Sequence, residues 1–377
     1  MPIDLSAFGD KLRRYREQRQ LTPEELVPGT GIAVDRLEGF EAGSIAPTGD
    51  EVLILADFFQ CDYRFLISNE KLAPFEQAES LYRRYGTEFS KQDRRSVQEF
   101  FFLCESEAYL ISELKREVRR FSFTPRGQFF KGHGDQAAAA LRRHFEYGPN
   151  QVPSDVYGDF RTIGFHLFRR KLQNSNISGL TIQHPSAGTC ILVNYSEDIY
   201  RQRFTAAHEG AHGILDRDED VIVSFEKGQS NLVEARANTF ASRYLLPPTI
   251  TRNLPVPRWN QAEIVKWASH FKVSTYALAI ALKEAKAIDD KALKELRRVR
   301  VPAHQKVDPE LANLVGGPAA RKQELLSRGL SSFYVSLCLQ AWNMGIVTTS
   351  RVAEMLLVDD FEFRDVAALF GVRPVAQ

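Results

Sequence analysis

The apolar positions of the first seventy residues predict four short helices separated by tight turns. The first helix has apolar residues three or four positions apart, at Leu5, Phe8, Leu12 and Tyr15. The second begins after Thr22, whose hydroxyl can cap it, with Pro23 in the first helical position and Glu25 completing a capping box. Two further helices are predicted over residues 33–41 and 51–59. Residues 1–69 are therefore predicted to form a small helical domain.

A helical connector is predicted over residues 70–134, where a charge-dense stretch carries a broad apolar face. Short apolar strands then alternate with helices, and they are predicted at residues 164–168, 179–182 and 190–194. Two more helices are predicted over residues 199–216 and 231–245, and the C-terminal region is again helical over residues 260–300 and 320–372. This order of elements predicts an α+β protein with a small sheet, divided into domains at 1–69, 70–134, 135–254 and 255–377.

The composition of the chain mainly excludes certain classes of protein and of site. The chain has 377 residues, of which 44% are hydrophobic and 26% charged, as in globular proteins of two or three domains. A net charge of +1 provides no overall basic field for nucleic acid. The four cysteines lie far apart, without disulfide or metal-binding spacing. Because the N-terminus lacks a signal-peptide pattern and no stretch reaches about 18 apolar residues, we expect a cytoplasmic protein that does not enter a membrane.

The clearest chemical signal is an HExxH motif over residues 208–212. On a helix, positions i and i+4 share one face, so the imidazoles of His208 and His212 can bind the same metal ion. Glu209 lies between them and can act as the general base on a water molecule whose pKa zinc lowers to about 7. The motif therefore predicts a Zn²⁺ centre, with another divalent transition metal as the alternative.

A catalytic zinc centre needs three protein ligands and one open position. Glu234 is the predicted third ligand, because Ala237 and Ala241 on the same helix face let two helices approach closely. A carboxylate on such a packed face is costly unless it meets a cation. Three acidic residues compete with Glu234 but lie too close to the end of the HExxH helix to return easily to the metal: Asp218, Glu219 and Asp220.

Two supporting roles stay open at this point. Asp216, four residues after His212, either orients the imidazole or is a surface carboxylate. Five side chains are chemically able to stabilise an oxyanion, and the spacing does not choose among them: Tyr195, Tyr200, Arg203, His184 and Tyr244.

An extended peptide substrate is expected to pair with a sheet edge, which is predicted at residues 190–194.

The segment over residues 150–250 resembles the ImmA/IrrE family of metallopeptidases. The resemblance rests on the strand over 190–194, the helix over 201–212, the later EARANTFA sequence from Glu234 and the LLP sequence over 245–247. It implies a zincin-like fold in which His208, His212 and Glu234 hold zinc and Glu209 is catalytic. Members of this family typically cleave a helix-turn-helix repressor. The resemblance therefore implies an endopeptidase that releases stress, phage-defence or mobile-element genes.

Residues 1–69 resemble a Cro-type (XRE) helix-turn-helix domain, although Pro28 is expected to interrupt its second helix. Residues 1–70 contain 7 Lys and Arg against 13 Asp and Glu, a net charge of −6 that disfavours contacts with phosphates. DNA binding as a homodimer, with Arg36 reaching a base edge, and a protein-interaction or structural role both stay open. For the whole chain, the alternative is a ligand-sensing, DNA-binding transcriptional regulator with a non-proteolytic peptidase-like domain.

Overall fold

The computed structural model of the protein describes residues 3–59, 61, 63–68, 74–225, 232–306, 308–312 and 314–370. Within these ranges the fold is α+β, with helices at both ends and a small sheet between them, which confirms the predicted class. The predicted boundary between residues 69 and 70 lies outside the described residues. In the described part of the chain, no helix combines the length and the hydropathy needed to cross a bilayer.

The N-terminal helices form a bundle with its own core, and they are α1 (Leu5–Gln18), α2 (Pro23–Thr30), α3 (Val34–Glu41), α4 (Gly49–Phe59) and α5 (Tyr63–Ile67). The predicted capping box of Thr22 and Glu25 is present. The expectation that Pro28 interrupts α2 is wrong, because the helix continues to Thr30. Pro28 removes one backbone hydrogen bond, whereas the capping box and the buried Leu26 still hold this short helix in place.

Four helices separate this bundle from the sheet: α6 (Pro74–Tyr85), α7 (Lys91–Glu113), α8 (Phe130–His144) and α9 (Val156–Thr162). The sheet contains β1 (His166–Arg170), β2 (Ile177–His184), β3 (Gly188–Asn194) and β4 (Val221–Phe225), in the order β1-β3-β2-β4. β1 is parallel to β3, and the other pairs are antiparallel. The strand over residues 190–194 was expected to be a sheet edge, which is wrong. β3 pairs with both β1 and β2, so the outer strands of the described sheet are β1 and β4.

After β3 the chain is mainly helical, and its described helices are α10 (Ile199–Leu215), α11 (Leu232–Leu245), α12 (Pro248–Arg252), α13 (Gln261–Phe271), α14 (Thr275–Glu284), α15 (Asp290–Leu296), α16 (Gly316–Ser327), α17 (Ser332–Asn343), α18 (Thr349–Met355) and α19 (Asp360–Leu369). Alternate residues of β3 enter two different cores. Leu192 packs with α7 and α17–α19. Ile191 and Val193 pack with α8–α11 and α13–α14.

Close helix packing places α10 and α11 side by side under the sheet. A Cβ atom at Gly210 of α10 would lie 2.1 Å from the ring of Phe160, so α9 lies directly against α10. A Cβ atom at Gly134 of α8 would lie 2.3 Å from the Arg236 carbonyl oxygen, so α8 presses equally closely on α11. α10 and α11 themselves meet at His208 and at Glu234 in the first turn of α11, whose side chains lie 3.1 Å apart.

Candidate metal centre

His208 and His212 are buried on the same face of α10. Their rings stand edge to face with centroids 4.8 Å apart, and the two Nε2 atoms are separated by 3.1 Å. Asp198 caps the start of this helix, and its side chain accepts a hydrogen bond from the Tyr200 amide. The spacing of four residues therefore brings the two imidazole nitrogens toward one point, as the sequence predicts.

Glu234 in the first turn of α11 completes the cluster. Its two carboxylate oxygens lie 3.1 Å from Nε2 of His208 and 3.5 Å from Nε2 of His212. Ala237 and Ala241 are buried on the same helix, as the sequence predicts for a closely packed face. Among the described residues, these three side chains form the group of ionisable ligands that converges closely enough to hold a metal ion.

The cluster fits a tetrahedral zinc ion in its donor set and in its spacing. Two imidazole nitrogens and one carboxylate oxygen are typical ligands of a catalytic zinc centre. Ligand atoms about 2.0–2.2 Å from a tetrahedral ion lie about 3.3–3.6 Å from one another. The two Nε2 atoms lie 3.1 Å apart, and each lies 3.1 or 3.5 Å from a different oxygen of Glu234, which is close to that range. Glu219, one of the three competing carboxylates, is instead paired with Arg84.

Both imidazoles are oriented by side chains behind them. Nδ1 of His212 lies 2.9 Å from Asp216 Oδ2, and Nδ1 of His208 lies 3.1 Å from Asn238 Oδ1. A proton on each Nδ1 leaves the Nε2 lone pair facing the cluster. Arg236, two residues after Glu234 on α11, forms a buried ion pair with Asp216. Of the two readings left open for Asp216, the buried contact to His212 supports the orienting one.

The cluster also perturbs its own ionisation. Burial disfavours the imidazolium form of His212, but hydrogen bonds to Asp216 and Glu234 outweigh burial and raise the pKa of His212 to about 9. Burial likewise disfavours the charged carboxylate of Glu234, yet hydrogen bonds from His208 and His212 lower its pKa to about 2. Without a metal ion, His212 is therefore in its imidazolium form, with a proton on each ring nitrogen, near neutral pH.

Glu209 is fully buried on α10, and its two oxygens differ in their surroundings. Oε2 accepts a 2.7 Å hydrogen bond from the Thr181 hydroxyl of β2. Oε1 has no hydrogen-bond partner among the described residues. Gly179 of β2 leaves space for it, because a Cβ atom there would lie 2.9 Å from Oε1. A buried carboxylate oxygen without a donor is costly, so Oε1 of Glu209 is an unsatisfied acceptor in this site.

None of the five predicted oxyanion donors turns toward this cluster in the described contacts. Four of them have other polar partners: Glu105 for His184, Asp159 for Tyr244, the Ser154 carbonyl for Arg203 and the Gln305 carbonyl for Tyr200. The ring of Tyr195 lies under the Arg169 guanidinium. These contacts tie helices and strands together. The side chains therefore have structural partners, and the chemical nature of each residue alone could not reveal this.

A cleft of about 190 Å³ opens beside Glu234. β4 forms one wall, and the last turn of α6 contributes Arg84 and Tyr85 on the other side. The Tyr85 and Phe225 rings face each other across it with centroids 6.0 Å apart. β4 was not predicted from the sequence, although its VIVSF stretch is apolar. The structure thus adds both a strand and a cleft next to the three converging residues.

The basic side chains of the N-terminal bundle are largely used within the protein. Arg36, the candidate for contacting a base edge if this domain binds DNA, makes two hydrogen bonds of 2.7 and 2.8 Å to Glu51. Arg16 makes the same kind of bidentate contact with Glu41. Arg19 is buried, and hydrogen bonds join it to Gln98 of α7 and to a carbonyl of α4. In this arrangement few of the cations expected to contact DNA phosphates are available.

Two comparisons give the class of each part. Residues 160–283 match the peptidase family described as IrrE N-terminal-like domain, and residues 7–63 match the family described as helix-turn-helix domain. The chain thus combines an N-terminal helix-turn-helix domain with an ImmA/IrrE-type peptidase domain, which confirms the resemblance noted from the sequence. The peptidase match contains the HExxH residues and Glu234. A comparison with curated proteins gave no match.

Proposed function

We propose that the protein is a zinc-dependent endopeptidase in which His208, His212 and Glu234 bind the metal and Glu209 is the general base. The observation that carries this proposal is the convergence of three ligand atoms beside a buried carboxylate with one unpartnered oxygen. The family match supports a metallopeptidase, and the donor set favours zinc. Bound zinc would supply a Lewis acid and make water a competent nucleophile near neutral pH.

Glu209 would carry the proton through the reaction. Thr181 donates to Oε2 and so fixes the carboxylate, while Oε1 remains free to accept a proton from the attacking water. The same oxygen would then return that proton to the leaving amine of the cleaved peptide. Asp216 and Asn238 would keep the two imidazoles in the tautomer that presents Nε2 to the metal.

The peptide substrate would bind along β4 rather than along β3. β4 is an outer strand of the described sheet and also a wall of the cleft beside Glu234. An extended segment that pairs with an outer strand gains main-chain hydrogen bonds without needing a particular sequence. This placement would bring the scissile bond next to α10, since α10 and β4 are connected by only five residues.

We further propose that the substrate is a helix-turn-helix repressor and that cleavage occurs in the cytoplasm. The support for the repressor is the ImmA/IrrE resemblance, and the support for the compartment is the four buried, free cysteines. The helix-turn-helix match supports DNA binding by the N-terminal domain, alone or as a homodimer. The alternative of a non-proteolytic regulator is disfavoured, because a sensor would not need a buried general base.

The decisive variant is Glu209→Gln, which keeps the shape of the side chain and removes its basicity. The zinc-loaded wild type should cleave peptides of a proteome-derived library, and the variant should be slower by a factor of about 10² to 10⁴. Zinc content and melting temperature should be unchanged.

Glu107→Gln is the matched control, because Glu107 is also fully buried with one unpartnered oxygen but lies on α7 beside His166. It should retain cleavage when the folded fraction is taken into account. Equal cleavage by wild type and Glu209→Gln, or none by either in the zinc-loaded form, would overturn the proposed function.

A further inference from the structure

The cleft beside Glu234 contains a basic side chain from outside the matched peptidase segment. Arg84 lies in the last turn of α6, more than seventy residues before that segment begins. Its guanidinium is 3.2 Å from Glu219 Oε2 and 3.5 Å from the Val221 carbonyl oxygen. α6 thus brings a cation to the wall of the cleft that β4 forms.

The Val221 carbonyl belongs to the side of β4 where another strand would add. Asp220 accepts a hydrogen bond from the Gln183 amide of β2, so its carbonyl faces β2. Backbone groups of consecutive strand residues alternate in direction, and the Val221 carbonyl therefore points away from β2. Arg84 occupies an acceptor that an extended substrate would otherwise use.

Glu219 differs from the other carboxylates that line the cleft. Asp216 is held by Arg236 and His212, and Glu234 by the two imidazoles. Among the described residues, the ion-pair partner of Glu219 is Arg84. Both side chains of this pair are about half exposed, at 55% and 47%, so they can separate at little cost.

The remainder of the cleft suits the stem of a long basic side chain. Val223 and Phe225 line the cleft along β4, and Tyr85 faces Phe225 from α6. Lys and Arg bury their aliphatic stems on such surfaces while the charged end stays near water or a carboxylate. Arg84 is already bound here in the way that a basic substrate residue would be.

We propose that Glu219 selects a Lys or Arg side chain in the peptide substrate, and that Arg84 occupies this subsite until the substrate displaces it. The inference rests on the proposed peptidase function, because it assigns the substrate class of the same cleft. It makes Glu219 a specificity-determining residue and Arg84 a built-in competitor. A basic segment of the target protein would bind by exchanging one guanidinium or ammonium group for another.

The test uses the zinc-loaded full chain and a proteome-derived peptide library, with new termini identified by mass spectrometry. Wild type should cleave sites enriched in Lys or Arg at one fixed position from the scissile bond. Glu219→Gln should reduce that enrichment about fivefold, the scale of a half-exposed ion pair. Glu219→Arg should shift the preference to Asp or Glu. Arg84→Ala should accelerate cleavage and leave the preference unchanged.

A second readout separates binding from chemistry. On one cleaved Lys-containing peptide, Glu219→Gln should raise KM about fivefold with kcat unchanged, and Arg84→Ala should lower KM. Arg351→Ala and Glu354→Gln are the matched controls, because they break an ion pair on α18 outside the cleft. Melting temperatures should stay within about 2 °C of wild type for all variants, as expected for surface changes.

Three results would overturn the inference while the peptidase function stands. Wild type could cleave without a basic preference, Glu219→Gln could keep the wild-type preference, or Arg84→Ala could slow cleavage. A wild type that cleaves nothing, like Glu209→Gln, would overturn the proposed function and this inference together.

Discussion

The N-terminal bundle and the candidate metal centre differ in the partners of their charged side chains. In the bundle, Arg36 and Arg16 are each neutralised by a carboxylate in two-pronged contact. In the centre, ligand atoms of His208, His212 and Glu234 converge closely enough to hold one metal ion. Paired charges stabilise a fold without further partners, whereas converging ligand atoms require one. The difference indicates where the protein needs something from outside its own chain.

Removing a converging ligand should have the largest effect. Glu234→Ala should weaken zinc binding by more than about 100-fold, since losing even an orienting partner behind a ligand costs about 10- to 100-fold. At zinc concentrations about 1,000 times the wild-type Kd, zinc should stabilise wild type by about 4 kcal/mol and the variant by much less. Chelator competition and melting curves with and without EDTA measure both effects.

The control for this variant is Asp218→Ala, which removes one of the acidic residues that competed with Glu234 in the sequence. It should leave zinc affinity unchanged, because Asp218 is exposed and outside the cluster. Equal zinc affinities for wild type and Glu234→Ala would show that Glu234 is not a zinc ligand. The contrast between paired charges in the bundle and converging ligands in the centre would then not hold.

Loosening the support of a ligand should have an intermediate effect. Asp216→Asn removes the charge that faces His212 and Arg236, so zinc affinity should fall about 10- to 100-fold. Asn238→Ala should lower it by less, because a neutral amide holds His208 more weakly than a carboxylate holds His212. Competition with a fluorescent chelator ranks the two variants. The reverse ranking would contradict the role assigned to Asp216.

The metal-free protein should show a pH dependence that zinc abolishes. The pKa of His212 is raised from 6.5 to about 9, so its stabilising contribution is complete below pH 6.5 and is lost as pH rises toward 9. The pKa of Glu234 is lowered from 4.5 to about 2, so its contribution is complete above pH 4.5 and is lost in acid. Melting temperature in EDTA should therefore decline between pH 6.5 and 9.

The control for this dependence is His212→Gln, whose melting temperature in EDTA should not show the alkaline decline. Zinc requires neutral imidazoles, so its stabilising effect on the wild type should grow over the same interval. A flat wild-type profile in EDTA would show that His212 is not protonated in the folded, metal-free state.

Releasing a paired cation in the bundle should have the smallest effect. Glu51→Gln frees Arg36, so affinity for duplex DNA should rise only a few-fold, and the slope of log K against log salt should steepen by about 1. Fluorescence anisotropy at several salt concentrations measures this change. Glu354→Gln, on α18 of the C-terminal region, is the matched control. An unchanged slope would show that Arg36 stays away from phosphates even when it is unpaired.

Much of the centre could be predicted because its geometry is local. Helical spacing brings His208 to His212, and the small residues Ala237 and Ala241 indicate the packed face that carries Glu234. The orienting contact of Asp216 depends on burial, which the spacing of residues does not reveal. Thr181 was missed because its contact with Glu209 joins a strand to a helix 28 residues later.

The sheet shows a related limit of local patterns. β4 is short and follows five charged residues, so its apolar VIVSF stretch did not stand out from the surrounding loop. Without β4, the strand over residues 190–194 looked like the edge of the sheet. Strand order depends on contacts between distant segments, and no periodicity within one segment encodes it. The correction moves the proposed substrate strand to the other side of β2.

The way α7 joins the two ends of the molecule limits how the chain can be shortened. Arg94 is buried on α7, and one of its N–H groups donates to the Gln18 carbonyl at the end of α1. Gln98, one turn further along, accepts from Arg19. The same helix inserts Phe100 into the core beneath the sheet. A truncated chain without the first helices would leave one N–H group of Arg94 and the side-chain oxygen of Gln98 without these partners. We therefore expect the peptidase domain to be less stable without its N-terminal neighbour.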